Sequence, residues 1–242
     1  MKWLSIVLMS SSLWAQVEIK QLPIVKIYVP QGFDSNDSSQ VIVSGYLPDL
    51  CHKSPRHTLE RSGNRFTLSV EGSYVPDTTE EGCLNMPVPF LEEVTLGELA
   101  EGVYKIGVKG NNNKSSDVEL VVKRALTKKR DEFIYADVKF IDETDANRKI
   151  SLVGYHPNDC LELDKIEMIT NGTDTLSLLP VLKISSDVCS GKRTPFEYEY
   201  EVPVLENMAR GVLIHVRVMD GRSVNHLFQN KLTDSVPELA FK

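Results

Sequence analysis

The sequence has no run approaching the roughly 20 apolar residues that a membrane-spanning helix needs, so the chain is not expected to span a membrane. It also lacks an excess of basic charge. Its 27 Lys and Arg face 34 Asp and Glu, for a net charge of −7. Sequence-independent nucleic-acid binding requires a basic face, so that class of function is excluded. Catalytic signatures are missing too: there is no Gly-x-Ser-x-Gly, no His-Glu-x-x-His, no phosphate-binding loop and no Gly-x-Gly-x-x-Gly opening a helix. Of the five histidines, His215 falls between Ile214 and Val216 on the face of a strand expected to point outward. His156 stands where the matched motif described below has Leu47. The acidic pairs Glu80-Glu81 and Glu92-Glu93 are neighbours in extended segments, where successive side chains point apart. No enzyme activity and no cofactor are expected.

What is there is ordinary globular composition, 41% hydrophobic and 25% charged in 242 residues, enough for one large domain or two smaller ones. Met1–Gln16 has the layout of a secretory signal peptide. Lys2 precedes the apolar run Trp3–Met9, and a serine patch and Ala15 follow. Cleavage is expected after Ala15, with Ser12 as an alternative, and the mature protein is expected to be secreted or periplasmic. Paired cysteines are the default reading in such an oxidising compartment.

The remainder repeats itself. Gly45-Tyr46-Leu47-Pro48 followed by Cys51 lines up with Gly154-Tyr155-His156-Pro157 followed by Cys160, at a constant offset of 109 residues. Ser62-Gly63 and Asn171-Gly172 keep that offset as turns. Cys83 and Cys189 open a second matched block, ending in Pro89-Phe90 and Pro195-Phe196. Ala100-Glu-Gly102 and Ala209-Arg-Gly211 close the comparison. The reading is an old duplication: a signal peptide over 1–15, a domain over 17–124, a cationic linker over 125–130 and a second domain over 131–242.

Helical periodicity is scarce and alternation is common. Val41 and Val43, Phe66 to Val70, Tyr104 to Val108 and Val212 to Val218 all place apolar residues at every second position. Turn signals such as Gly110-Asn111-Asn112-Asn113 and Asp220-Gly221 separate the runs. This pattern predicts an all-β protein of two tandem immunoglobulin-like β-sandwiches. The stretch Leu96-Gly-Glu-Leu99-Ala-Glu-Gly102-Val-Tyr104 resembles the corner of such sandwiches, where a Tyr bonds back to upstream backbone. Unit two has Gly211 but no Tyr at the matching place.

The combined pattern, Gly-Tyr-x-Pro-x-x-Cys followed by Cys-x5-Pro-Phe, resembles a module of uncharacterised bacterial secreted proteins. That resemblance implies an exported β-sandwich and carries no activity with it.

Four cysteines allow three pairings, and the repeat selects Cys51 with Cys83 and Cys160 with Cys189. A metal site drawing on Cys51, His52, His57 and Cys83 is the alternative in unit one, but unit two offers no histidine beside its cysteines. Oxygen-rich Asp34-Ser-Asn36-Asp37 and Asp142-Glu-Thr-Asp145 suit either turns or calcium. No resident metal is expected.

Gly45, Tyr46, Pro48, Gly154, Tyr155 and Pro157 are read as structural turn residues, with an exposed Tyr and Pro recognition patch as the competing view. Ligand binding is expected where the units differ, at 51–64 and 187–194. The expected function is a non-enzymatic binding or structural module whose partner is another protein or a surface glycan. The alternatives are an inhibitor or accessory factor of a secreted protease, and an enzyme with an unrecognised site.

Overall fold

A computed structural model describes residues 17–76, 82–109, 117–128, 131, 133–144, 148–203 and 211–229. The segment read as a signal peptide, Glu80-Glu81, Gly110–Asn113, Lys129-Arg130 of the expected linker, Asp145 and Ala209 lie outside the described residues. Apart from one 3-10 turn at Met219–Gly221, the described elements are strands. Among the described residues no helix is long and apolar enough to cross a membrane.

The first half holds β1 (Glu18–Gln21), β2 (Ile24–Tyr28), β3 (Ser38–Leu47), β4 (His52–Ser62), β5 (Arg65–Tyr74), β6 (Val88–Glu98), β7 (Gly102–Val108) and β8 (Val118–Val122). The second holds β9 (Ile134–Tyr135), β10 (Asp137–Thr144), β11 (Lys149–His156), β12 (Leu161–Thr170), β13 (Thr175–Ile184), β14 (Thr194–Glu201), β15 (Gly211–Arg217) and β16 (Ser223–Gln229). In each half a three-stranded sheet, β2-β3-β6 or β10-β11-β14, faces a five-stranded one. In the larger sheet of domain 1, β4 lines one edge of β5, while β1 and β7 share the other edge. The second half follows the same plan with β12, β13, β9 and β15. The pairs β5·β7 and β13·β15 are parallel, so both large sheets are mixed.

The alternating patterns explain the cores. Val41 and Val43 of β3 and Val94 of β6 meet Phe66, Leu68, Val70 and Ile106 of the opposing sheet. Ile150 and Leu152 meet Leu176, Leu178, Ile214 and Val216 in the same way. The corner is built as the sequence suggests: Leu99 is buried and the Tyr104 hydroxyl donates to the Ala100 carbonyl at 2.9 Å. Strand pairing places Val212, opposite Phe228, where domain 1 has Tyr104 opposite Leu120. The match of Gly102 to Gly211 is therefore one residue out of register with the fold.

Gly45 and Gly154 are read from the sequence as turn residues. They lie inside β3 and β11, two residues before each strand's last residue. Pro48 and Pro157 follow those ends, where a missing N–H stops the ladder.

A third apolar cluster joins the halves. Tyr28 and Ile42, cross-strand partners on the outer face of the small sheet of domain 1, pack on Leu213 and Leu227 of the large sheet of domain 2. This corrects the expectation for His215: it is not a surface residue but fully buried. The outward side of β15 is covered by domain 1, so Leu213 and His215 are as buried as the core-facing Val212 and Ile214. Arg217 completes the joint. Its guanidinium pairs with Asp37 at 2.8 Å and Asp131 at 2.7 Å, donates to the Gly32 carbonyl at 3.1 Å and packs over Phe33 and Tyr135. Lys26 with Asp174 and Gln31 with Ser177 add polar links.

The corresponding positions elsewhere are polar. Lys105 and Glu119 stand in domain 1 where Leu213 and Leu227 stand in domain 2. Asp142 and Ser151 stand where Tyr28 and Ile42 stand. The apolar pairs thus meet at the joint, while the matching positions on the other two sheet faces are polar, beside exposed Val103, Val121 and Phe140.

Candidate functional site

Each sandwich carries one disulfide at the end where the Gly-Tyr-x-Pro segment emerges: Cys51–Cys83 in domain 1 and Cys160–Cys189 in domain 2. The backbone around the two bridges is held alike. The Asp49 side chain accepts from the Cys51 N–H at 2.9 Å, and Asn158 accepts from the Cys160 N–H at 3.0 Å. The Cys51 carbonyl accepts from Val75, and the Cys160 carbonyl from Ser185. In domain 1 Asp49 also meets His52 Nδ1 at 2.8 Å, and the His52 ring packs against Tyr74. Burial raises the pKa of Asp49, but hydrogen bonds from His52 and the Cys51 N–H more than offset it and leave the carboxyl below its ordinary range.

On this common frame the displayed side chains differ. Domain 1 shows Leu50, Leu84 and Met86, which are 40%, 63% and 47% exposed. A backbone bond from Leu50 to Leu84 draws the first two together. Domain 2 has Asp159, Ser190 and Lys192 at the same distances from its cysteines. Ser190 donates to Asp159 through both its N–H and its hydroxyl, at 2.9 and 2.8 Å. The Ser190 hydroxyl holds the Asp159 carboxyl below its ordinary pKa. At these three matched positions domain 2 is polar and domain 1 apolar, although domain 2 also exposes Val188, 85%, just before Cys189.

Sequence reasoning placed the variable segment at 51–64 and missed Leu84 and Met86. Their signal was available: two apolar residues just beyond a cysteine, with Ser190 and Lys192 at the same steps beyond Cys189. Residues 51–64 contribute mainly β4, an edge strand interrupted by a register shift between Lys53 and Arg56 beside Pro55. Such irregularities protect edges from further pairing. In domain 2, residues 187–193, which include Cys189 of the bridge, are exposed.

The turn residues behave less uniformly. Tyr46 and Tyr155 stand opposite Pro89 and Pro195 on the outer faces of the small sheets, 38% and 44% exposed. Both side chains thus stand across from a proline and face solvent.

The metal arrangement weighed for unit one does not form. Cys51 and Cys83 are bonded to each other, and the nearby Asp49 carboxylate is engaged with His52 and backbone. His57 is held by Glu92 at 2.8 Å. Asp34 and Asp37 cap their own turn, accepting from the N–H groups of Asn36 and Asp34, and Asp37 also meets Arg217. Asp142 lies on β10 rather than in a loop.

The remaining histidines sit in separate places. His156 packs on Phe196 and meets the Tyr198 hydroxyl at 2.6 Å. Burial lowers the His156 pKa and pushes Tyr198 up to about 12. His215 meets Asn225, and His226 meets Glu143. A shallow cleft of about 340 Å³ lies beside the joint, lined by Asp131, Phe133, Ile134, Tyr135, Met219 and Asp220. Its Asp131 is already paired with Arg217.

Residues 41–120 match the family model of the ORF11 beta-sandwich domain. The matched stretch runs from β3 into β8 and contains the Cys51–Cys83 bridge with its apolar loop. No curated protein matches the chain. No solved structure matches it either.

Proposed function

We propose that this chain is an exported, non-enzymatic tandem β-sandwich protein that binds another protein through the apolar loop at the Cys51–Cys83 bridge. The observation that carries the reading is the contrast on a shared frame: Leu50, Leu84 and Met86 in one domain, Asp159, Ser190 and Lys192 in the other. Domain 2 fills the three matching positions with polar residues, so the fold does not require apolar ones there. Contiguous exposed apolar side chains on a rigid support mark interaction surfaces.

Export is supported by the layout of Met1–Gln16 together with the two bridges, which persist in oxidising compartments. Common descent of the two domains is supported by the sequence offset and by strand pairing that follows one plan in both halves. A secreted or periplasmic location follows from these readings.

The test is affinity capture from the periplasmic and extracellular fractions with the wild-type chain and with Leu50→Ser/Leu84→Ser. The reading expects a partner retained by the wild type and lost by the variant, with unchanged melting. A partner retained equally by both would remove the loop from consideration. Inhibition of a secreted protease by the wild type alone would make that protease the partner.

A further inference from the structure

Domain 2 carries a second arrangement that domain 1 lacks, on the outer face of its small sheet. Asp137, the first residue of β10, is 9% exposed and receives three cations from three elements. Lys139 of β10 lies 2.8 Å from Oδ1, Arg222 of the turn before β16 lies 2.9 Å from Oδ1, and Arg193 of the segment before β14 lies 3.4 Å from Oδ2. Three positive charges thus surround one negative charge, on a chain whose net charge is −7.

The cations themselves stay open to solvent, with side chains 39%, 53% and 59% exposed for Lys139, Arg222 and Arg193. Each makes one contact to Asp137, whereas an ammonium has three donors and a guanidinium five. Most of their donors remain for a ligand. Beside them Tyr155 is exposed, with the Arg193 guanidinium 5.0 Å from its ring centre. The fold does not demand this chemistry. The Pro23 carbonyl approaches Gly45 as the Asp137 carbonyl approaches Gly154, so Pro23 occupies the place of Asp137 in domain 1. Counting from these positions and from Pro89 and Pro195, Val25 and Pro87 stand for Lys139 and Arg193.

Paired guanidinium forks fit the planar oxygens of a carboxylate, and the exposed Tyr155 ring offers a flat apolar surface beside them. The same sheet face bears Glu197, Glu199 and Glu201 along β14, all exposed. That row repels an extended polyanion or an acidic peptide lying along the strand. It leaves room for a ligand with one carboxylate among neutral hydroxyls. We infer that Arg193, Arg222 and Lys139, organised by Asp137 beside Tyr155, bind the carboxylate of an acidic sugar of the uronic-acid class. This inference concerns domain 2 and does not rest on the apolar loop of domain 1.

Calorimetric titration of the full chain at low salt with a short galacturonate oligomer tests it, with the neutral galactose oligomer and an aspartate-rich peptide as comparators. Uronate binding is expected, weakened about tenfold by Arg193→Ser and by Arg222→Ser and unchanged by Lys105→Ser. Arg193→Lys, which keeps the charge and loses the fork, is expected to weaken binding as well. Asp137→Asn separates an organised site from simple charge attraction. It raises the local positive charge, yet it is expected to weaken binding because the three cations lose their common anchor. Thermal melting checks each variant, and Arg193 in its exposed segment decides if Arg222→Ser melts early. Absence of uronate binding by the wild type, tighter binding by Asp137→Asn, indifference to Arg193→Ser, or preference for the peptide would each overturn the inference.

Discussion

Gly45 lies directly opposite Phe90 across β3 and β6, and the Phe90 ring fills the space where a side chain on Gly45 would stand. A Cβ there would be 2.5 Å from Phe90 Cζ and 2.4 Å from the Pro23 carbonyl oxygen. Gly154 and Phe196 repeat the relationship, with the Asp137 carbonyl oxygen at 2.2 Å. The Gly-Tyr and Pro-Phe motifs, 44 and 41 residues apart in the two halves, are thus two sides of one cross-strand contact. Glycine is needed for close approach, not for a special backbone angle.

Gly45→Ala is expected to destabilise the protein by about 1–3 kcal/mol, the usual cost of overpacking. Truncating Phe90 in the same chain recovers only part of the loss, because the Pro23 carbonyl belongs to the backbone and cannot be trimmed. Urea unfolding measures both. A change below about 0.5 kcal/mol in Gly45→Ala, the range of neutral surface substitutions, would show that β2 shifts freely.

Each disulfide closes a loop of some thirty residues, with sequence separations of 32 and 29. The chain-entropy relation gives about 3–4 kcal/mol for each. Cys51→Ser/Cys83→Ser and Cys160→Ser/Cys189→Ser should each lower the unfolding free energy by that order. Non-reducing peptide mapping should yield Cys51–Cys83 and Cys160–Cys189 peptides. A Cys51–Cys160 peptide would contradict the arrangement.

Arg217→Met should cost about 3–5 kcal/mol, since it leaves the Asp37 carboxylate buried without its cation. Adding Asp37→Leu should restore part of the loss, because an apolar pair tolerates the site better than a lone charge. Trypsin cutting in the basic stretch 125–130 should give two fragments that co-elute in gel filtration, held by Tyr28, Ile42, Leu213 and Leu227. Separation of the fragments on the column, or unfolding of Arg217→Met at the wild-type midpoint, would refute the joint.

Burial at the joint, with a smaller contribution from the Arg217 charge, lowers the pKa of His215 from 6.5 to about 4. The unfolded chain therefore takes up a proton between pH 6.5 and about 4 that the folded chain refuses. Stability is complete above pH 6.5 and falls as pH drops through that window, by about 3 kcal/mol at most. His156, lowered by burial, contributes in the same direction. Asp137 and Asp174, both held below their ordinary range, weaken the fold only at pH values below about 3.8. His215→Gln should flatten the dependence of the urea midpoint between pH 6.5 and 4. An unchanged slope would mean that His215 is reached by water.

Much of the architecture is legible in the residues. Period-two alternation marks which side chains of β3, β5, β7 and β15 enter a core, because neighbouring residues on a strand must face opposite ways. The recurrence of Gly, Tyr, Pro and Cys at one offset marks two like units, and Tyr104 marks the corner. The chemistry displayed at the bridges is also partly legible, since Leu84 against Ser190 can be read by aligning the halves.

The fate of the other face of a strand is not legible, and His215 shows why. Alternation along β15 says that Leu213, His215 and Arg217 point away from the core of domain 2. It does not say whether water or another domain lies beyond. Leu213 gives a hint, but Tyr28 and Ile42, which cover it, lie some 170–185 residues earlier in the chain. Asp137 and its three cations are scattered in the same way over residues 137–222. By itself the sequence determined local periodicity, turns, and the likeness of the two units, because each depends on near neighbours or on direct comparison of residues. Only the tertiary structure decided the joint and the cationic cluster, because both arise from side chains that meet after the strands have paired and the two sandwiches have packed together.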